Sequence, residues 1–257
     1  MIKNILITGC TQGLGNALAK KFADLNLTVF AVGRNIALLE KLASYSKKIH
    51  SISADINTKA GKKIILENID SVKEISIIHN VAIAEPCMFS SLNENLLRKH
   101  IETNYISPAI LTQKILPKLQ ADQRVLHISS SAANLSLPGL MSYCTTKSAL
   151  EHMTNCLNME LNKQGTYFAN LRPGMIDTPM ELKFRTSSLN ELPQREFYVR
   201  AKNENKLIQP EIVAEFIAWV MLKTEDEIFS NTLWNIYNES YQPQWLRDLK
   251  FKPIPPS

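Results

Sequence analysis

The chain has 257 residues, of which 45% are hydrophobic and 21% are charged, and these are ordinary values for a globular protein. This composition excludes the disordered, collagen-like and coiled-coil classes, and the length suffices for a domain with a sizeable core. The 29 Lys and Arg residues outnumber the 24 Asp and Glu residues by a small surplus that is spread along the chain, so the charge does not point to nucleic acid or to an anionic membrane as a partner.

Short β-branched runs alternate along the chain with longer segments of helical periodicity. The predicted strands are Ile2–Thr8, Leu27–Val32, Ile49–Ala54, Ile75–Ile78, Arg124–Ser129, Tyr167–Leu171 and Thr232–Tyr237. The predicted helices are Leu14–Asn26, Ile36–Ser46, Thr58–Asn68, Asn93–Leu119, Ser142–Asn162 and Pro210–Lys223. Most strand runs are continuously apolar, which is typical of buried parallel strands. The alternation predicts an α/β fold with right-handed crossovers, in which helices flank a doubly wound, parallel seven-stranded sheet.

One segment, Ile176–Gln209, follows the sixth predicted strand and contains no strand signal. It carries several apolar and aromatic side chains, and an insertion of this length in a compact domain is typical of a lid or a binding segment. We therefore predict that residues 1–257 form a single domain in which 176–209 is a substrate-binding lid. The alternative is that the segment packs as a surface subdomain.

The turn between the first strand and the first helix reads Thr8-Gly9-Cys10-Thr11-Gln12-Gly13-Leu14-Gly15, with three of the chain's eight glycines. Glycines allow a tight turn and a close approach of the backbone to a pyrophosphate, and the helix N-terminus adds N–H groups and a positive dipole. Its place between a strand and a helix predicts dinucleotide binding, the alternative being an ordinary strand–helix turn. The residues assigned to the cofactor here are Gly9, Thr11, Gln12, Gly13, Leu14 and Gly15.

The second predicted strand is not followed by the acidic residue that commonly holds the ribose hydroxyls of NAD, since no Asp or Glu occurs from Thr28 to Leu39. Arg34 stands where the 2′-phosphate of NADP would lie, and a guanidinium suits a phosphate dianion. We therefore predict that NADP(H) is preferred over NAD(H), with Arg34 and the adjacent Asn35 as cofactor-binding residues. The alternative is a solvated arginine after a strand.

Tyr143 and Lys147 lie four residues apart in a predicted helix, so they share one helix face. Ser130 follows the fifth strand, at the carboxyl edge of the sheet where ligands bind in this topology. Tyr143 can act as a proton donor. The pKa of a free phenol is ~10, and an ammonium at ~5 Å in a site without water nearly suffices to bring it close to 7. The alternative for a Tyr-x-x-x-Lys pattern by itself is a chance pair on a helix surface.

Several motifs carry a family resemblance, namely the glycine turn and then Asn104, Ser130, Tyr143, Lys147 and Pro173-Gly174. In this order they resemble the short-chain dehydrogenase/reductase family over nearly the whole chain, least in 176–209 and in the C-terminal tail. The resemblance implies a Rossmann-type fold and an NAD(P)-dependent oxidoreductase acting on CH–OH/C=O groups. It also implies that Ser130 donates to the substrate oxygen and that Tyr143 and Lys147 contact the cofactor, where Lys147 bonds the nicotinamide ribose. Asn104 would distort a helix and hold a water of a proton relay. The alternative for Asn104 is a helix cap.

The same resemblance assigns further residues to the cofactor. Asp55, followed by Ile56, would bond the adenine amino group, the alternative for Asp55 being the N-cap of the next helix. The run His79-Asn80-Val81-Ala82 departs from the family's Asn-Asn-Ala-Gly at three positions and leaves Asn80 and Ala82 as cofactor-lining residues. The residues after the sixth strand that match family positions near the carboxamide and the pyrophosphate are Pro173, Gly174, Ile176 and Thr178.

Residues and resemblance together predict an NADPH-dependent carbonyl reductase that transfers hydride from nicotinamide to a ketone or aldehyde, with Tyr143 as the general acid. The runs Pro173–Met180 and Trp234–Tyr237 resemble the benzil- and sepiapterin-reductase-like carbonyl reductases. The alternatives are a 3-ketoacyl-acyl-carrier-protein reductase and a catalytically silent NADPH-binding protein. The predicted partners are a small-molecule carbonyl or alcohol and further copies of the chain. A homodimer or homotetramer would associate through helices near 104–119 and 142–162, with 241–257 as a cap over one interface.

No part of the chain approaches the ~20 apolar residues of a membrane-spanning helix, since the longest apolar run near the C-terminus is Phe216–Leu222. The N-terminus lacks a signal-peptide pattern, so we expect a cytoplasmic protein without a membrane or nucleic-acid partner. No metal site is expected, because the histidines make no metal-ligand spacing with the cysteines. The cysteines expected to be reduced thiols are Cys10, Cys87, Cys144 and Cys156.

Overall fold

The computed structural model describes residues 2–119 and 122–246, which form one parallel sheet covered by helices on both faces. The strand order is β3-β2-β1-β4-β5-β6-β7, so the chain leaves β1 in one direction and returns to build the other half of the sheet from β4. This confirms the predicted seven-stranded doubly wound fold. The strands are β1 (Asn4–Thr8), β2 (Thr28–Gly33), β3 (Ile49–Ser53), β4 (Ser76–His79), β5 (Gln123–Ile128), β6 (Thr166–Arg172) and β7 (Leu233–Asn235).

Helices fill every crossover between these strands, and a last short helix follows β7. They are α1 (Gly13–Asp24), α2 (Ile36–Ala43), α3 (Lys59–Asn68), α4 (Glu94–Ile101), α5 (Ser107–Ile115), α6 (Met141–Leu161), α7 (Pro179–Thr186), α8 (Arg195–Asn203), α9 (Pro210–Lys223), α10 (Asp226–Asn231) and α11 (Gln242–Trp245). Within the two described ranges, none of them combines the length and the apolar character needed to cross a bilayer.

Alternate residues of the central strand serve different halves of the core. Ile5 and Ile7 belong to an apolar cluster that includes α1 and α9, whereas Leu6 belongs to a cluster that includes α3 and α5. Because successive side chains of a strand point to opposite faces, a strand buried on both sides must be apolar at every position. This explains the continuous apolar runs in the sequence.

The segment predicted as one helix, Asn93–Leu119, is interrupted in the structure. A π-helical turn, Glu102–Ile106, separates α4 from α5, and the N–H of Ser107 donates to the carbonyl of Glu102 five residues earlier. Pro108 has no N–H with which to continue the regular helical ladder to the carbonyl of residue 104. The predicted single helix is therefore wrong, and the interruption places Asn104 at the bend.

The segment 176–209 contains two helices that periodicity did not predict, α7 and α8. Thr178 caps α7 by accepting from the N–H of Glu181, and Pro179 occupies its first turn. A single β-bridge between Ile176 and Ile208 ties the two ends of the segment together. Both helices are short, so each offers too few turns for a hydrophobic period to be recognised.

A buried arginine fixes the end of the sheet opposite the functional residues. Arg124 is the second residue of β5, and its Nη1 donates to the carbonyls of Val220 and Met221 at 3.1 Å, near the C-terminus of α9. Its Nη2 lies 2.6 Å from the carboxylate of Asp226. The carbonyls of the last turn of a helix have no partner within the helix, so Arg124 supplies the donors that they need.

Candidate active site

A cavity of about 920 Å³ opens at the carboxyl edge of the sheet. Ligands bind at this edge in doubly wound folds, where the strand order reverses. The predicted site residues that line it are Gly9, Thr11, Gln12, Gly13, Leu14, Arg34, Asp55, Ile56, Asn80, Ala82, Ser130, Tyr143, Lys147, Pro173, Gly174, Ile176 and Thr178. Three other predicted residues, Gly15, Asn35 and Asn104, do not line the cavity.

The glycine turn wraps the N-terminus of α1. Gly13 has a φ of +56°, which a residue with a side chain rarely adopts. A Cβ at Gly15 would lie 2.1 Å from the carbonyl oxygen of Gly9, so the turn can pack against α1 only because residue 15 has no side chain. Gly15 therefore has a structural role, and its neighbours line the cavity. Asn80 braces the same turn, since its Nδ2 donates to the carbonyls of Thr8 and Gly9.

The N-terminus of α1 fits an anionic ligand. The side chain of Gln12 makes no capping hydrogen bond, and the first turn carries no acidic residue. The first N–H groups of this helix are therefore not capped by a side chain, and the helix dipole adds positive potential. Together with the glycines, this donor set suits the pyrophosphate of a dinucleotide.

The two predicted cofactor residues after β2, Arg34 and Asn35, have different roles in the structure. The side chain of Arg34 is 71% exposed, and its Nη1 lies 3.9 Å from Oδ2 of Asp55. Asn35 instead caps α2, because its Oδ1 accepts from the N–H of Leu38 at 3.1 Å. The alternative role for Asp55 as a helix cap is wrong: Thr58 caps α3, and Oδ1 of Asp55 accepts from the N–H of Asn57.

The turn after β6 lies across the glycine turn. A Cβ at Gly13 would approach Cγ2 of Thr178 to 3.2 Å, which shows how closely the two turns face each other. The hydroxyl of Thr178 donates to the carbonyl of Ile176 at 3.3 Å. Tyr237, two residues after β7, supports the turn, since its hydroxyl accepts from the N–H of Met175 at 2.9 Å. Sequence analysis singled out the run Trp234–Tyr237 but assigned Tyr237 no role at this turn.

Tyr143, Lys147 and Ser130 meet inside the cavity. Tyr143 and Lys147 are 8% and 2% exposed, and Nζ of Lys147 lies 5.7 Å from the centre of the Tyr143 ring. Nζ of Lys147 donates to the carbonyl of Ile128 at 2.6 Å. Oγ of Ser130 accepts from the N–H of Ala132 at 3.2 Å, and Ser130 acts to lower the pKa of Tyr143.

Burial dominates the ionisation of this pair. It raises the pKa of Tyr143 to about 12, against the hydrogen bond from Ser130, which lowers it. Burial also lowers the pKa of Lys147 to about 8, against the charge of Glu151, which raises it. The expectation that Lys147 nearly suffices to bring the pKa of Tyr143 close to 7 is therefore wrong for the protein groups alone. A site that excludes water penalises the charged phenolate, and this burial is the largest influence on the pKa of Tyr143.

Asn104 is held by the protein on both sides of its amide. Its Oδ1 accepts from the N–H of Ile83 at 2.8 Å, while Nδ2 donates to the carbonyl of Ile83 and to the hydroxyl of Thr146. It lies inside the π-helical turn, so the alternative role as a helix cap is wrong. The helix distortion is present, and the proton relay through a water stays a prediction.

An ion pair beneath Lys147 was not foreseen. Glu151 lies one helical turn beyond Lys147 and accepts two hydrogen bonds from Arg172, at 2.9 and 2.8 Å. Ser129 donates to the same carboxylate at 2.7 Å. The sequence signal that could have revealed it is the spacing of four residues, which places Glu151 on the same helix face as Lys147. This network fixes α6 against the ends of β5 and β6.

The part of the cavity next to Tyr143 is largely apolar. The side chains that line it include Leu137, Leu140, Met175, Met180, Phe184, Phe197 and Tyr198. The rings of Phe184 and Phe197 lie 4.9 and 5.3 Å from that of Tyr198. Several of these residues come from 176–209, so this segment forms a wall of the cavity. Among the described residues no cluster of His, Cys, Asp or Glu has the arrangement of a metal site.

A family model described as short chain dehydrogenase matches residues 3–188. This chain belongs to the short-chain dehydrogenase/reductase family. It is therefore an oxidoreductase that acts on CH–OH/C=O groups of small molecules with a nicotinamide cofactor, as the sequence predicted.

Individual relatives agree with this assignment. The benzil reductase ((S)-benzoin forming) of Bacillus cereus is 30% identical over 241 residues, which cover 88% of this chain and 96% of the relative. The 3-oxoacyl-[acyl-carrier-protein] reductase of Rickettsia felis is 27% identical over 90% of this chain and 94% of its own. The crystal structure of the KRED1-Pglu enzyme superposes with a TM-score of 0.83 at 25% identity, covering 89% of this chain and 98% of the other.

Proposed function

We propose that this chain is an NADPH-dependent carbonyl reductase in which Tyr143 donates the proton to the carbonyl oxygen. The observation that supports this most is that Ser130, Tyr143 and Lys147 line the same cavity as the glycine turn. The pKa of Tyr143 lies well above 7, so the phenol is protonated at neutral pH and carries the proton that is donated. The hydroxyl of Ser130 is a second donor for the same oxygen.

The surrounding residues support each stage of the reaction. When bound, the nicotinamide supplies the hydride. The glycine turn would hold the pyrophosphate, and Arg34 a 2′-phosphate. Lys147 stabilises negative charge that develops on the phenol as its proton leaves, and the carbonyl of Ile128 orients its ammonium. The buried walls exclude water, which strengthens this interaction.

The substrate we propose is a bulky, aromatic ketone or diketone. The aromatic side chains Phe184, Phe197 and Tyr198 make the wall beside Tyr143 suited to a ring, and 176–209 acts as the lid over it. The similarity to the Bacillus cereus benzil reductase supports a diketone. The similarity to the Rickettsia felis reductase supports a second candidate, reduction of a 3-ketoacyl group on an acyl carrier protein.

We also propose that the enzyme is a homo-oligomer located in the cytoplasm. Ile110 of α5 and Met159 of α6 are 39% and 87% exposed, which favours association through these helices into a homodimer or homotetramer. The free state of all four cysteines is consistent with a cytoplasmic enzyme. Of the segment proposed to cap an interface, residues 247–257 lie outside the described part of the chain.

The proposal is tested by following NADPH oxidation over a panel of aromatic ketones, diketones and a 3-ketoacyl thioester. We expect turnover of diketones by the wild-type protein and a loss on the order of 10²- to 10⁴-fold in Tyr143→Phe. NADPH binding is measured in parallel and is expected to be retained in the variant. Preference for the thioester would favour the second candidate. NADPH binding without turnover of any carbonyl would indicate the catalytically silent protein.

A further inference from the structure

A carboxylate stands in the apolar part of the cavity. Glu181 lies in the first turn of α7, lines the cavity and is 5% exposed. Its Oε2 accepts from Nε of Arg185 at 2.6 Å. Its Oε1 is buried and has no hydrogen-bond partner among the described residues. A buried acceptor without a donor is costly, so such an atom at the wall of a binding cavity points to a donor on the ligand.

Glu181 lies on the same side of the cavity as the reacting phenol. Tyr143 and Tyr198 belong to one packed cluster that also contains Phe184. Phe184 follows Glu181 by three residues on α7, so the two side chains lie on the same face of that helix. A substrate whose carbonyl lies at Tyr143 and whose ring packs on Tyr198 extends toward Glu181.

A second acceptor lines the same cavity. Nε2 of Gln194 donates to the carbonyl of Pro138 at 2.9 Å, which fixes the orientation of its amide. Its Oε1 is buried and, like that of Glu181, has no partner within the described residues. Both unpartnered atoms are acceptors, so the complementary feature of the ligand is a donor.

The charges around Glu181 are already balanced. Arg185 pairs with Glu181 and lies 3.7 Å from Asp177, and Lys202 lies 2.6 Å from Asp177. Two acidic and two basic side chains thus form one neutral group. A neutral hydroxyl or N–H donor keeps this balance, whereas an ammonium would add a net positive charge in a site with little water.

We propose that Glu181 accepts a hydrogen bond from a neutral donor on the substrate, so that the preferred substrates are aromatic ketones or diketones that carry a hydroxyl or N–H group away from the reacting carbonyl. This inference rests on the proposed carbonyl reductase activity. Within that activity it makes Glu181 a specificity-determining residue.

The test compares kcat/KM for benzils that carry one ring hydroxyl with that for the matching methoxy compounds, at each ring position. We expect the wild-type protein to prefer the hydroxy compound at one position by about tenfold or more. In Glu181→Gln, the amide oxygen is expected to keep the hydrogen bond with Arg185 and present its NH₂ to the cavity. The preference is therefore expected to fall to unity or to invert toward methoxy, which has only an acceptor.

Two controls separate substrate binding from a structural role. Glu196→Gln changes an exposed carboxylate in α8 and is expected to leave the hydroxy-to-methoxy ratio unchanged. Arg185→Met removes the ion pair, and kcat/KM is expected to fall for both compounds while the hydroxy compound stays preferred. An unchanged ratio in Glu181→Gln, or a wild-type ratio near unity at every position, would overturn the proposal.

Binding keeps this test independent of turnover. If the protein reduces none of the compounds, calorimetric titration of the same compounds into the NADPH complex still measures the ratio of their dissociation constants, because no reaction takes place. If no carbonyl compound is reduced but the hydroxy compound still binds more tightly and Glu181→Gln abolishes that difference, the reductase proposal fails and the role of Glu181 stands. Equal binding of both compounds would reject the role of Glu181.

Discussion

Replacement of Arg34 by alanine tests how this chain chooses between NADPH and NADH. The guanidinium lines the cavity after β2 and is 71% exposed, with Asp55 at 3.9 Å as its only partner among the described residues. Two unit charges about 4 Å apart interact by about 1 kcal/mol in water and by about 4 kcal/mol at an effective dielectric of 20. A half-exposed contact with a 2′-phosphate lies between these limits, at about 2 kcal/mol. This corresponds to roughly a 30-fold rise in the Kd of NADPH.

The assay is a titration of NADPH and of NADH into the wild-type protein and Arg34→Ala at one fixed ionic strength. NADH lacks the 2′-phosphate, so its Kd is expected to change by less than about twofold. Arg98→Ala is the matched control, because Arg98 lies on α4, is equally exposed and pairs only with Glu94 among the described residues. An equal loss for both cofactors in Arg34→Ala, or no loss for either, would refute the assignment of Arg34 to the phosphate.

Three further changes probe the buried groups. Glu151→Gln removes a negative charge that raises the pKa of Lys147. Because kcat is expected to fall above about pH 8, where the ammonium is lost, this fall is expected to move to lower pH in the variant. An alkaline limb of the pH profile that does not move would contradict this role. Arg124→Met removes the guanidinium donors from Asp226 and from the end of α9, and it is expected to lower the free energy of unfolding in urea by about 3 kcal/mol, against less than about 0.5 for Arg98→Ala. A loss of under 1 kcal/mol would be evidence against this anchor. Gly15→Ala places a Cβ 2.1 Å from a carbonyl oxygen and is expected to abolish NADPH binding in the same titration, so tight binding by this variant would contradict the geometry of the turn.

The features predicted well from the sequence are those in which one local pattern leaves one structural solution. Strands such as Ile5–Ile7 are apolar at every position because both faces are covered, and that pattern identifies a central parallel strand. The glycine turn was equally readable, since Gly13 and Gly15 satisfy a backbone requirement that their neighbours in sequence reveal. Most of the predicted cofactor residues consequently line one cavity.

The features that were missed depend on which partners a side chain has in the folded chain. Asn35 and Asn104 look like site residues in the sequence, yet their side chains are bound by Leu38 and by Ile83 and Thr146. The effect of burial on the pKa of Tyr143 was also misjudged, because it depends on how much of the site is closed off from water. No short sequence pattern indicates how far a site is closed off from water.

The central claim is that Tyr143 gives its proton to the substrate from within a cavity that binds the nucleotide independently of that hydroxyl. The most direct measurement mixes the NADPH complex with an aromatic diketone and follows NADPH absorbance through a single turnover in the wild-type protein and Tyr143→Phe. We expect the rate to fall on the order of 10²- to 10⁴-fold while the Kd of NADPH changes by less than about twofold. A variant that reduces the diketone within about threefold of the wild-type rate would show that the proton comes from elsewhere.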